Sequence, residues 1–233
     1  MSTTAPTASQ EFLDRIYGRI AGRYDAVNTL QSFGLDRPAR RAAARGLRGR
    51  VLDLGAGSGD LAAACLEAGA DRVVCLDRSA GMFDVARRKL ARAESARRVV
   101  FVFGDAARLP FRDGVFDGVG SAFLFRNLPT AGEAVAEMAR VMRPGARAAV
   151  VDVFAPPPGV WGWLYRWYLK TAVPWWGRLV TGDAAAYRYL SASIRRCFGA
   201  RDFAARLARA GLADVRVRDK VGGIMAVVTA RKP

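Results

Sequence analysis

The stretch VLDLGAGSGD, residues 51–60, sets a short apolar run against a turn with glycines at 55, 57 and 59. The apolar residues read as a strand, and the LAAACLEAGA that follows has helical composition, so the turn joins a strand to a helix. Side chains at Gly55, Gly57 and Gly59 would block the approach of a ligand to backbone N–H groups at a helix N-terminus. Taken alone, the stretch also reads as a tight strand-to-helix turn without a ligand.

The same alternation continues in both directions. Upstream, RRAAARGLRGR (40–50) reads as a helix ending before Val51. Downstream, RVVCLD, RVVFVFGDA, FDGVGSAF and ARAAVVDVF read as strands two to five, the last one after an RPGA turn. Between them lie two helical patterns, SAGMFDVARRKLARAESA, with Ser79 as its N-cap, and AGEAVAEMARVM. DFAARLARAGL is a further helix, and ADVRVRDK and GGIMAVVTARK are two strands able to form an antiparallel edge hairpin. Short apolar strands alternating with amphipathic helices predict an α/β fold with a doubly wound parallel sheet. Residues 1–9 are expected to be a disordered tail. Residues 10–233 are expected to form a single domain, with an N-terminal helical cap over 10–48 and a helical insertion over 156–198.

In such a sheet a ligand lies at the carboxyl ends of the strands. Asp53 stands just before the glycine turn. Asp77 ends the second strand, where a carboxylate accepts both hydroxyls of a ribose, and Asp105 follows the third, in reach of an adenine amino group. The turn is G-x-G-x-G and lacks the G-x-G-x-x-G/A spacing that seats a dinucleotide pyrophosphate.

Composition narrows the partners. The chain has 37 basic and 21 acidic residues, no histidine, and a formal charge of +16. Nearly all the cations are arginines spread through alanine-rich helices, which reads as solvated helix faces, so nucleic acid is not expected as a partner; an anionic membrane surface is compatible. Cys65, Cys75 and Cys197 are widely spaced without a CxxC pair, so neither disulfides nor a metal site are expected, and a reducing cytoplasm fits. The first ten residues lack the basic and apolar regions of a signal peptide.

Beyond the glycine turn, five segments carry a closer likeness: GRYDAVNTLQSFGLDR (22–37), LPFRDGVFDGV (109–119), FRN (125–127), DAAAYRYLSASIRR (183–196) and GGI (222–224). With VLDLGAGSGD they resemble the ubiquinone/menaquinone biosynthesis C-methyltransferases, in order and with compatible spacing from about residue 17 to the C-terminus. The resemblance implies a Rossmann-like class I S-adenosylmethionine-dependent methyltransferase, with seven strands and an antiparallel C-terminal hairpin. It also implies methylation of a ring carbon of a polyprenylated quinol precursor, demethylmenaquinol before a ubiquinone precursor or another hydrophobic phenol. A membrane-surface binding protein with a vestigial cofactor site is the non-enzymatic alternative, against which the full acid and glycine set argues. Carried onto matching positions, the cofactor residues are Ser58, Asp77, Asp105 with Ala106, and Ala122, beside Asp53, Gly55 and Gly57. The family's usual FGLRN-like run is FLFRN here, with Leu124 in place of glycine.

Attack by a hydroquinone carbon needs a phenolic proton removed, and no histidine is present to take it. The candidates are Asp152 at the end of the fifth strand, Tyr24, and a water held by Arg126 and Asn127, with Arg126 as the stabiliser of phenolate charge. Each has a structural alternative: Tyr24 packs the N-terminal helix, and Asp152 bonds a neighbouring turn. Asp183, Tyr187, Arg188 and Tyr189 are candidates to close the acceptor pocket, and Asp183 reads equally well as a helix cap.

All five tryptophans fall within residues 161–180. Trp161, Leu164, Tyr165, Tyr168 and Leu169 share one helical face, and indoles beside cations suit the headgroup boundary of a bilayer. The charges and Pro174 exclude a membrane span, and a lid packed on the domain is the alternative. A lipid quinol, a peripheral contact through 161–180 at the inner face of the cell membrane, and a homodimer are the partner expectations.

Overall fold

The computed structural model describes residues 34–155, 158–160, 162–167, 171 and 198–233. The expected tail, most of the N-terminal cap, Tyr24, Asp183, Tyr187, Arg188 and Tyr189 lie outside the described residues.

Seven strands form one sheet: β1 (Gly49–Leu54), β2 (Ala70–Asp77), β3 (Val99–Phe103), β4 (Phe116–Ala122), β5 (Met142–Val153), β6 (Ala213–Lys220) and β7 (Met225–Arg231). Their order is β3-β2-β1-β4-β5-β7-β6. The first five run parallel, and β7 runs antiparallel to both β5 and β6, as the C-terminal hairpin reading requires. Helices α1 (Asp36–Ala44), α2 (Asp60–Glu67) and α3 (Ala80–Ser95) cover one face; α4 (Ala131–Val141) and α5 (Ala200–Arg209) cover the other.

Helices on both faces explain why the central strands read as continuous apolar runs. Val51, Ala149 and Val151 point to one side, against Leu61 of α2, while Leu52, Leu54 and Val150 point to the other, with Met138 of α4 and Phe203 of α5. All nine are at most 2% exposed. Ser79 caps α3 as expected, its hydroxyl accepting from the Met82 N–H at 3.4 Å.

Two local expectations are corrected. The helix read over 40–50 ends at Ala44, and β1 already begins at Gly49. Gly46 lies where a Cβ would meet the Arg147 side chain at 2.7 Å, and Gly49 takes φ 66, so the glycines end the helix and admit neighbours from β5 and β4. The RPGA turn is absorbed into the irregular start of β5, with Gly145 at φ 80 and a register shift against β4 between Phe116 and Gly118.

After β5 the chain leaves the sheet and returns to the same place, because the Ala155 N–H donates to the Phe198 carbonyl at 3.2 Å. Phe198 stacks on Phe203 with centroids 5.5 Å apart, and both pack on Phe154. The described chain thus leaves the sheet at Ala155 and is rejoined to it at Phe198, on the carboxyl side of β5.

Candidate active site

The strand order reverses between β1 and β4, and the candidate residues collect at the carboxyl ends on either side of that switch. The turn after β1 is tied to β2: the N–H groups of Gly55 and Ala56 both donate to the Leu76 carbonyl, at 2.8 and 3.0 Å. Gly55, Gly57 and Gly59 all take positive φ (71, 52 and 81). A Cβ on Gly55 would strike Leu124 at 2.7 Å, and one on Gly59 would strike Leu90 at 2.8 Å. Only at Gly57 would a Cβ enter space free of protein atoms within 4 Å. Open space thus lies beside Gly57, while the other two glycines admit side chains of the fold itself.

Asp77 connects the turn to the next helix. One oxygen accepts from the Gly57 N–H at 2.8 Å and the other from the Ser79 N–H at 2.9 Å. Asp105 is likewise set by the backbone, accepting from the Ala107 N–H at 2.9 Å, and its second oxygen meets Arg78 Nη1 at 3.1 Å. Ala106 and Ser58 are buried, and Ala122 at the end of β4 is half-buried.

Asp53 differs from the other two acids. Its side chain is buried, and neither carboxyl oxygen has a hydrogen-bond partner among the described residues. Burial pushes its pKa up to about 7; the Ala62 N–H opposes this without reaching full hydrogen-bond geometry, Asp77 adds to it, and Arg40 draws it back. A buried carboxyl without a donor beside an open glycine turn is the arrangement a cationic amine completes. With Asp77 and Asp105 as hydroxyl and amine acceptors, the residues fit S-adenosylmethionine.

Across the switch, β4 ends at Ala122 and Phe123 takes φ 61, turning the chain into a short 3-10 segment, Phe125–Asn127. This brings Arg126 onto Asp152 of β5. The guanidinium donates at 3.0 Å and the Arg126 N–H at 3.2 Å, while the Val153 N–H donates at 2.8 Å. Both side chains are 1% exposed. Burial raises the Asp152 pKa, and the Arg126 charge opposes it. Asn127 donates to the Phe123 carbonyl at 3.2 Å, and its Oδ1 is buried with no donor among the described residues.

Sequence reasoning did not single out Arg40. It is buried on α1, bonds Asp36 at 2.6 Å, and lies against the Phe123 ring at 4.9 Å; Arg126 lies against the same ring at 5.2 Å. The available signal was spacing: Asp36, Arg40 and Ala44 fall at i, i+4, i+8, on the face that Ala39 and Ala43 bury. Part of the LPFRDG segment has a structural explanation. Glu137 of α4 accepts from the Leu109 N–H at 2.7 Å, and Arg140 donates to the Leu109 and Phe111 carbonyls. The Arg140 hydrogen bond holds the Glu137 pKa below its ordinary value.

Cys65 and Cys75 are buried with thiol pKa values pushed up by burial, so neither offers a thiolate. The described residues hold no group of metal-ligating side chains. No described helix is long and apolar enough to cross a membrane.

The sequence model of the ubiE/COQ5 methyltransferase family matches residues 6–232. A demethylmenaquinone methyltransferase of Mycolicibacterium gilvum is 40% identical over 222 residues, 94% of this chain and 93% of that one. One from Beutenbergia cavernae is 41% identical over 221 residues, 93% and 89% of the two chains. Among solved structures, the cyclase SpnF superposes with a TM-score of 0.70 at 18% identity over 98% of both chains, a likeness of fold alone.

Proposed function

Because this chain belongs to the ubiE/COQ5 methyltransferase family, whose model spans residues 6–232, we propose that it methylates a ring carbon of demethylmenaquinol to give menaquinol. It is an S-adenosylmethionine-dependent methyltransferase of menaquinone biosynthesis. The observation that carries the acceptor assignment is the near full-length likeness to demethylmenaquinone methyltransferases, which includes the insertion after β5 as well as the nucleotide half.

S-adenosylmethionine supplies an electrophilic sulfonium methyl. In our reading Asp53 balances its amine, Asp77 its ribose hydroxyls, and Asp105 with Ala106 its adenine, while Gly57 leaves room for the backbone to approach. Arg126 stabilises negative charge on the acceptor oxygen, because a guanidinium stays protonated and no charge has to be created to meet it. Asp152 is fully engaged by Arg126 and two backbone N–H groups, so its role is to position Arg126, and it is not the base. The Asn127 Oδ1 can accept a hydrogen bond from the phenol or from a water that passes the phenolic proton on to solvent. Methyl transfer then rests mainly on holding two bound partners in an attack geometry. Tyr24 is the further candidate to take the phenolic proton, Asp183, Tyr187, Arg188 and Tyr189 close the acceptor pocket, the insertion touches the bilayer from which a polyprenyl quinol enters, and the protein works at the cytoplasmic membrane face.

The test is a product assay with purified protein, S-adenosylmethionine and reduced naphthoquinol or benzoquinol acceptors carrying the same prenyl tail. The expected result is a methylated naphthoquinol as the dominant product. Preferential methylation of the benzoquinol would overturn the acceptor assignment while leaving the methyltransferase chemistry intact.

A further inference from the structure

Away from the cofactor crevice, three shallow depressions adjoin along the β5–β7–β6 side of the sheet, and Arg147 lines all of them. The one between α1 and β6, about 210 Å³, is walled by Arg45, Arg147, Arg218 and Lys220 over small side chains of α1 and β7. The pairing register explains the gathering. Arg147 sits opposite Arg231, and Arg216, Arg218 and Lys220 sit opposite Thr229, Val227 and Met225, so alternate residues of β6 present cations on the face that α1 borders. At strand rise the three β6 cations span roughly 13 Å. All six are exposed, and none has an ion-pair partner among the described residues. Two carboxylates line the depressions: Asp117, which is engaged by Arg143 and the Arg50 N–H, and Asp214.

We propose that this cationic strip docks the protein on an anionic phospholipid surface, with headgroup phosphates against the β6 row and the α1–β6 groove. Six unpaired cations on one face favour a dense array of phosphates, each basic group near such a surface adding to the attraction. Two observations favour a bilayer over a nucleic acid. Among the described residues no aromatic ring lines these depressions, whereas sequence-tolerant binding of single strands relies on stacking platforms. The β6 row also ends at Lys220, level with the top of β5 through Met225 and Val153, and it is from the top of β5 that the chain enters the helix exposing Trp163, Leu164 and Trp167. Indoles and aliphatic groups near a row of cations match the headgroup boundary. The surface is assigned independently of which phenol is methylated.

The experiment is co-sedimentation of the full chain with phosphatidylcholine vesicles and with mixed phosphatidylcholine/phosphatidylglycerol vesicles, across a salt series. Arg216→Gln/Arg218→Gln/Lys220→Gln is compared with Arg88→Gln/Arg92→Gln/Arg97→Gln, which removes the same charge from an exposed stretch at and after α3. Retained S-adenosylmethionine binding and an unchanged Tm certify both folds, and the pair Arg218→Gln/Lys220→Gln replaces the first triple where it fails that check. The expected result is salt-sensitive binding that requires phosphatidylglycerol, weakened about tenfold or more by the β6 substitutions and much less by the α3 set. Equal losses in both triples would reduce the effect to net charge and overturn the site. So would undiminished vesicle binding by the β6 variant, or a loss confined to added tRNA.

Discussion

Asp53 is the residue where burial and charge are least reconciled. Its folded pKa of about 7 stands above the ordinary 3.8, so the folded state holds more protons than the unfolded state between those values. The stability tied to protonated Asp53 is complete below pH ~4 and is lost as pH rises through ~7, amounting to at most about 4 kcal/mol. Asp53→Asn should flatten this slope, so that the variant gains Tm relative to wild type on going from pH 5 to pH 8. Calorimetric scans of both proteins across that range check it, and parallel pH profiles would show that Asp53 is already ionised. A cationic amine in the site favours the carboxylate, so S-adenosylmethionine should bind wild type more tightly as pH rises from 5 toward 7, with proton release that Asn abolishes.

At the scale of the element, the glycine turn divides its labour. Gly57 and Gly59 both have positive φ, so alanine strains either one by about 1 kcal/mol. They differ in what the added methyl meets: empty space at Gly57, and Leu90 and Ala86 at Gly59. Gly57→Ala is expected to keep Tm within a few degrees and to lower S-adenosylmethionine affinity by tenfold or more, about 1.4 kcal/mol. Gly59→Ala is expected to lose more stability, about 2 to 4 kcal/mol, because its Cβ must displace core side chains. Thermal scans and titration calorimetry on the pair separate the two, and equal affinity losses at equal Tm would refute the division. The sequence marks all three glycines alike; the neighbours that distinguish them, Leu124 and Leu90, are 31 or more residues away in the chain.

At the scale of the whole molecule, the short helix at 162–167 divides its side chains between the fold and the outside. On its described helix Tyr165 is 3% exposed, whereas Leu164 is 43%, Trp163 60% and Trp167 57%. The face drawn from sequence therefore divides, with Tyr165 packing inward and Leu164 joining the tryptophans outside. Exposed indoles contribute little to the core, so Trp163→Ala/Trp167→Ala should leave Tm and S-adenosylmethionine binding unchanged while reducing vesicle binding and turnover of long-tailed quinols more than short-tailed ones. A fall in Tm with equal loss on both acceptors would instead place these rings in a packed lid.

What the sequence determined by itself was local and periodic: seven strands, the helices between them, the glycine turn, the acids at strand ends, and a family likeness that names the reaction. All but the likeness, which rests on matching segments, follow from side-chain spacing and turn chemistry, which act between residues a few positions apart. The tertiary structure decided which distant residues meet. Strand order brings Arg126 onto Asp152, 26 residues away, and leaves both oxygens of Asp152 engaged. Packing of α1 buries Arg40 against Phe123, and the β5–β7–β6 register turns arginines scattered along the chain into one cationic strip. Burial likewise distinguishes Asp53 from Asp77 and Asp105, since the cost of an uncompensated charge depends on the medium around it, and that medium is assembled from all seven strands and both helical layers.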